Sequence, residues 1–219
     1  MPWPNSRPPG LLVCYVTDRH AFAAGDPRDS VLLLETIARA AAAGVDAIQI
    51  REKDLSGRAL FELTQAALAR ASHSKILVND RLDVALAAGA SGVHLGGESV
   101  GVSEVARLRA AGRVPSDFSI GRSCHSLADA LDAQRDGADY VFFGPVFATP
   151  SKAQFGPPQG IEALAAVCRD ARIPVVAIGG ITLDSAASCI AAGAAGVAAI
   201  RLFQETDNLQ AVMRALKGS

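Results

Sequence analysis

The segment Gln49-Ile50-Arg51-Glu52-Lys53 places cations at alternate positions, and in extended backbone alternate side chains share a side, so Gln49, Arg51 and Lys53 would converge on one anion. The competing reading is a solvated loop in which Glu52 and Asp54 pair with those cations. Asn79-Asp80-Arg81 follows an apolar run and precedes a helical pattern that starts near Leu82. Asn and Asp suit a helix N-cap, but Asp80 also suits a hard cation such as Mg²⁺, which is held by one or two carboxylates together with substrate phosphate. His94 reads as a hydrogen-bonded structural imidazole. His125, just before a helix starting near Ser126, could serve as an acid or base. Thr149, Ser151 and Lys152 bring hydroxyls and a cation together in the longest connection of the chain, running to about Gly160, a length that would allow closure over a ligand. Gly179-Gly180 allows backbone amides to approach an anion.

Those groups need a scaffold, and a repeated unit supplies one. In Ala41–Ile50, Ala87–Leu95, Arg135–Phe143 and Ala191–Ile200 an alanine-rich helical pattern ends in glycine, and a short apolar run follows. The glycine can close the helix in the left-handed conformation, and a run that short and that continuously apolar is a strand buried on both faces. Further apolar runs lie at Leu11–Val16, Ile76–Val78, Phe118–Ile120 and Val175–Ile178. About eight strands alternating with helices predict an α/β fold, a single (β/α)8 TIM barrel. A doubly wound open sheet is the competitor, but Thr17-Asp18-Arg19-His20 after the first strand has no glycine-rich phosphate loop. In a barrel, working residues stand at the carboxyl ends of the strands, where every group named above falls.

Composition agrees and excludes other classes. Among 219 residues, 21 Lys+Arg balance 22 Asp+Glu, so no global charge draws the chain to nucleic acid or acidic lipid. Hydrophobic residues make up 50% and aromatics only 5%, which predicts a core of small aliphatic side chains. No apolar run is long enough to cross a membrane. Residues 1–10, with four prolines, are expected to be a flexible tail, leaving 11–219 as the barrel domain; the default location is cytoplasmic. Cys14, Cys124, Cys168 and Cys189 are widely spaced and expected to be reduced, mostly structural thiols. A homodimer is the expected assembly.

From about Leu11 to Leu216 the chain resembles the thiamine phosphate synthases and their relatives, the thiazole tautomerases. The resemblance rests on Gln49-Ile-Arg-Glu-Lys-Asp-Leu, Val78-Asn-Asp-Arg-Leu-Asp-Val-Ala-Leu, Gly92-Val-His-Leu-Gly, Gly144-Pro-Val-Phe-Ala-Thr-Pro-Ser-Lys and Ala177-Ile-Gly-Gly-Ile, in that order. It implies an enzyme that joins hydroxymethylpyrimidine diphosphate to hydroxyethylthiazole phosphate, releasing diphosphate. It further implies that Arg51, Lys53 and Asn79 hold the diphosphate, that Asp80 binds Mg²⁺ and that Lys152 neutralises the leaving group. Gln49 and Ser123 would orient the pyrimidine, while Thr149, Ser151 and the backbone at Gly179, Gly180 and Ile200 would take the thiazole phosphate.

The chain departs from that pattern at two places. The family's Gln and second metal-binding Asp after His94-Leu95-Gly96 are replaced by Gly97 and Ser99, so the adjacent Glu98 is expected to reach the metal instead, directly or through water. Arg201 stands where the family has a small Ser, and would either clamp phosphate or obstruct the site. Ile120-Gly-Arg-Ser-Cys-His-Ser resembles the tautomerase branch, in which the residue at His125 would shuttle a proton without a metal. A thiazole-phosphate binder without turnover is the third reading.

Overall fold

The computed structural model describes residues 10–22, 29–149 and 157–218. The expected tail falls almost entirely outside these residues, as do Ser151, Lys152 and the middle of the long loop. Eight parallel strands close into a barrel in sequence order: β1 (Leu12–Val16), β2 (Ala47–Ile50), β3 (Lys75–Asn79), β4 (Gly92–Leu95), β5 (Ser119–Cys124), β6 (Tyr140–Phe143), β7 (Val175–Ile178) and β8 (Gly196–Ala199). Closure is made by β8 pairing with β1, Cys14 lying opposite Ala198. The expected TIM barrel is the observed fold.

The helices follow from the same grammar that predicts the strands. They are α1 (Asp29–Ala42), α2 (Gly57–Arg70), α3 (Leu82–Ala88), α4 (Val102–Ala110), α5 (Leu127–Arg135), α6 (Gly160–Asp170), α7 (Leu183–Ala191), α8 (Arg201–Gln204) and α9 (Leu209–Lys217). In α1 the buried side chains are Leu33, Thr36, Ile37, Ala40 and Ala41, the spacing of one helical face turned to the barrel. The glycines of the repeated unit, Gly44, Gly89, Gly137 and Gly193, all have positive φ, between 74° and 102°, which a side chain would strain.

Alternation along the strands makes two cores. Val13, Tyr15, Ile48, Ile50, Val93 and Val141 belong to the layer between sheet and helices. Cys14, Val16, Ala47, Leu77, Tyr140, Phe142, Val176 and Ala198 fill the barrel interior. The next inward positions towards the carboxyl ends are polar: Gln49, Asn79, His94 and Ser123. Apolar side chains thus plug the barrel below, and polar ones line its mouth. β5 runs four residues past the expected Ile120, because its ladder with β6 continues to Cys124 opposite Phe143 and carries Ser123 to the mouth.

Cys14, Cys124 and Cys189 are buried free thiols. Burial pushes the Cys124 thiol up to about 12 and that of Cys189 to about 11, so neither supplies a thiolate near neutrality. No helix among the described residues is long and apolar enough to cross a membrane.

Candidate active site

Asn79 and Asp80 are not helix caps. The N-cap of α3 is Arg81, whose side chain makes no capping bond. Asp80 instead adopts φ 59°, unusual for a residue with a side chain and a form of backbone strain that gathers at functional sites. Gln49 Nε2 donates to Asn79 Oδ1 at 2.8 Å, and Asn79 Nδ2 donates to Asp80 Oδ2 at 2.5 Å. Asp80 Oδ1 accepts from the Gly96 backbone N–H at 2.9 Å and from the Ser99 hydroxyl. The ends of β2, β3 and β4 are thereby joined by one hydrogen-bonded chain. A Cβ at Gly96 would stand 3.0 Å from Asp80 Oδ1, so this loop cradles the carboxylate closely.

The carboxylates expected to pair with Arg51 and Lys53 are turned elsewhere. Glu52 is buried and accepts from Thr17 Oγ1 at 2.6 Å, and from the Arg19 backbone N–H and Nη1 at 3.1 Å each. Asp54 pairs with Arg19 and with His20, the latter at 3.2 Å. The expected pairing with Glu52 and Asp54 is therefore not formed: neither Arg51, half-buried, nor Lys53, exposed in the turn after β2, makes an ion pair among the described residues. Thr17 Oγ1 also accepts from the Arg51 backbone N–H at 2.9 Å, which pins Arg51 at the mouth. Burial raises the Glu52 pKa, against the lowering effects of Thr17 and Arg19.

On β4 and β5, His94 Nε2 lies 2.9 Å from Ser123 Oγ and Nδ1 lies 3.2 Å from the Tyr140 hydroxyl. Burial lowers the His94 pKa to about 3; Asp80 opposes that shift, while Arg122 and Arg51 add to it. The imidazole is therefore neutral, in line with the structural reading. His125 is exposed, and its Nδ1 donates to the carbonyl of Gly144, so in the neutral ring the lone pair lies on Nε2.

The opposite side of the mouth carries the other expected anion site. Gly179 and Gly180 have φ of 95° and 66°; a Cβ at Gly179 would fall 2.5 Å from Pro145, and one at Gly180 2.6 Å from the Ala148 carbonyl. The glycine pair thus lets β7 pack against the loop after β6, besides exposing amides. Arg201, exposed at the start of α8 just after Ile200, places Nη2 3.5 Å from Thr149 Oγ1 and Nε 3.9 Å from Glu205 Oε1. Ser151 and Lys152 fall outside the described residues.

Glu98 is exposed, one residue before Ser99, and it is Ser99 whose side chain reaches Asp80. Among the described residues no group of three or more His, Cys, Asp or Glu side chains could hold a metal. The site has a single carboxylate, with a hydroxyl beside it, and suits a hard cation only if water and a bound phosphate complete the shell. Sequence reading gave Glu52 the wrong partners and passed over Thr17 and Arg19, through which it fixes Arg51, and Arg122, which donates to the Gly96 carbonyl and steadies the loop carrying Ser99. Their signal was position, since Thr17 and Arg122 stand at strand ends.

A closed parallel barrel whose mouth holds Arg51, without an ion-pair partner among the described residues, together with one oriented carboxylate belongs to the class of phosphate-handling barrel enzymes. A family profile described as thiamine monophosphate synthase matches residues 13–203. The chain is 39% identical to a thiamine-phosphate synthase of Roseiflexus castenholzii, over 99% of this chain and 90% of the relative. It is 45% identical to one of Methanoculleus marisnigri, over 81% of this chain and 83% of the relative. Among solved structures, a thiamine phosphate pyrophosphorylase from Pyrococcus furiosus superposes with a TM-score of 0.77 at 31% identity, covering 97% of this chain and 95% of that one. The chain belongs to the thiamine monophosphate synthase family.

Proposed function

We propose that this chain is a Mg²⁺-dependent transferase that joins hydroxymethylpyrimidine diphosphate to hydroxyethylthiazole phosphate, forming thiamine phosphate and free diphosphate. The observation that carries the reading is the hydrogen-bonded chain Gln49–Asn79–Asp80 at one mouth with Arg51, whose guanidinium has no carboxylate partner among the described residues. Such an arrangement favours an anionic substrate, because its cations are not already neutralised.

In this reading Arg51, Lys53 and the Asn79 amide hold the diphosphate, Lys152 adds charge to it, and Gln49 and Ser123 orient the pyrimidine. Asp80 and Ser99 would hold one Mg²⁺, which supplies charge neutralisation for the departing diphosphate; Glu98 would reach that ion only through water. The bond from the pyrimidine methylene carbon to the diphosphate oxygen breaks, and its electron pair leaves with the diphosphate. The thiazole nitrogen then gives its lone pair to that carbon. Thr149, Ser151, Arg201 and the backbone at Gly179, Gly180 and Ile200 hold the thiazole phosphate, fixing the nitrogen on the open face of the pyrimidine.

The test is product formation from the two substrates with Mg²⁺ and with chelator. Thiamine phosphate in Mg²⁺ and none in chelator is expected. A tautomerase rests on His125, whose Nε2 lone pair is available at the rim. Interconversion of thiazole carboxylate phosphate tautomers in chelator, with no thiamine phosphate in Mg²⁺, would replace the transferase by that isomerase. Binding of thiazole phosphate with neither product would leave only a binder.

A further inference from the structure

Tyr140 and His94 lie in the barrel where the proposed reaction has no direct use for them. Tyr140 is fully buried and His94 is 1% exposed, yet the pair connects the apolar plug to the half-buried Ser123 at the mouth. The path depends on a missing side chain. A Cβ at Gly121 would stand 2.2 Å from Tyr140 Cζ and 2.7 Å from His94 Nδ1. The His94 ring also packs on Phe142, centroids 4.2 Å apart, which limits its rotation.

A neutral imidazole has one donor and one acceptor nitrogen, so it can accept from only one of the two hydroxyls that flank it. The phenol is a far stronger acid than an alkyl hydroxyl, and the stronger acid makes the stronger O–H···N bond. That ordering favours Tyr140 as the donor to Nδ1, across 3.2 Å, in the arrangement proposed below. Nε2 then carries the proton and donates it to Ser123 Oγ, leaving the serine's own proton to point elsewhere. The reverse tautomer would turn the Ser123 proton into the wall and present only lone pairs to a ligand.

We infer that Tyr140 and His94 are positioning residues that fix Ser123 as a hydrogen-bond donor to an acceptor atom of the pyrimidine substrate. The buried setting against Phe142 and the Tyr140 phenol suits the neutral ring, whereas a charged ring would donate from both nitrogens. The inference rests on the proposed reading that Ser123 faces the pyrimidine substrate. Its acceptor is a lone pair on that molecule, a ring nitrogen or a phosphate oxygen.

The test has an arm that needs no activity. In full-length protein with ¹⁵N-labelled histidine, which contains 4 His, the signals lost in His94→Gln identify His94. The expected state at neutral pH is the Nε2–H tautomer; an Nδ1–H tautomer or an imidazolium would overturn the relay whatever the protein's reaction. The second arm is a double-mutant cycle. Tyr140→Phe and Ser123→Ala are each expected to lower kcat/KM for the pyrimidine diphosphate by about tenfold, the effect of one lost hydrogen bond. In the Ser123→Ala background Tyr140→Phe should change nothing further. Equal losses from Tyr140→Phe in both backgrounds would make Tyr140 a packing residue only and overturn the proposal. If the natural chain forms no thiamine phosphate, the proposed reaction fails, and the tautomer alone decides the relay.

Discussion

The Ser99 hydroxyl donates a hydrogen bond to Asp80 Oδ1, bridging the loops that follow β4 and β3. A neutral donor therefore occupies the place beside the only carboxylate of that cluster, where the family resemblance leads one to expect a second acid. The Gly96 N–H reaches both, at 2.9 Å to Asp80 Oδ1 and 2.8 Å to Ser99 Oγ, so this hydroxyl is built into the loop.

Ser99→Asp sets two carboxylates against each other, a repulsion that a divalent cation relieves. The variant should therefore unfold at a lower temperature than the natural chain in chelator and regain that loss in Mg²⁺ without substrate, as a ligand that binds only the folded state stabilises it. Thermal unfolding with and without Mg²⁺ checks this. A natural chain that gains as much from Mg²⁺ as Ser99→Asp would show that Ser99 already serves as well as a carboxylate.

Glu52 acts on Arg51 through Thr17, whose hydroxyl donates to the carboxylate and accepts from the Arg51 N–H. Glu52→Ala strands the buried Thr17 hydroxyl and the Arg19 N–H, at a cost of about 1–3 kcal/mol. The expected outcome is a destabilised enzyme with a raised KM for the pyrimidine diphosphate and an unchanged KM for the thiazole phosphate, measured by steady-state kinetics. An effect on the thiazole substrate alone would place Arg51 elsewhere in the reaction.

The barrel was legible because its signals are local. Gly44, Gly89, Gly137 and Gly193 close helices, and the runs after them are too apolar for any site but a buried strand. The mouth was legible only in outline, since strand ends select the residues but not their partners. Glu52 reads as the natural partner of its neighbours Arg51 and Lys53, yet it bonds to Thr17 and Arg19, which are distant in sequence. Asn79 and Asp80 read equally well as caps. Only the packing of β4 against β3, which brings Gly96 and Ser99 to Asp80, separates the two readings. The hydroxyl-imidazole-hydroxyl chain joins β4, β5 and β6, and no spacing within one segment reports it.

Gly121→Ala tests how tightly that chain is packed. The added methyl would meet Tyr140 at 2.2 Å and His94 at 2.7 Å, and both rings are buried. Overpacking of this kind costs about 3 kcal/mol at the upper end of its usual range, which lowers the melting temperature of a domain this size by roughly 6–12 °C. Calorimetry measures it, and an unchanged melting temperature would mean that the rings have room to move.

His94 also sets a pH dependence. Its folded pKa is lowered to about 3 from the ordinary 6.5, first by burial, with Asp80 opposing and Arg122 and Arg51 reinforcing. Below the ordinary value the unfolded chain takes up a proton that the folded chain refuses, so stability falls as pH drops from 6.5 towards about 3. At pH about 5 this one group would cost about 2 kcal/mol relative to neutrality. Denaturant unfolding at the two pH values should show a loss in the natural chain that shrinks in His94→Gln. An equal loss in both would assign the acid sensitivity to other groups.

Arg201 opens α8 beside the loop after β6, with Nη2 3.5 Å from Thr149 Oγ1 and, among the described residues, only the exposed Glu205 as a charge partner, at 3.9 Å. A guanidinium so weakly engaged is free to turn its paired N–H groups towards an arriving phosphate, which it can grip bidentately as a serine cannot. Arg201→Ser should raise the KM for thiazole phosphate by about tenfold, the lower end of a charged hydrogen bond's worth, and leave the KM for pyrimidine diphosphate unchanged. The dependence on ionic strength should weaken in parallel, because a partly exposed charge is screened by salt. A variant with a lower KM would show the opposite, that the arginine narrows the entrance and that the natural chain has traded access for some other contact at the rim.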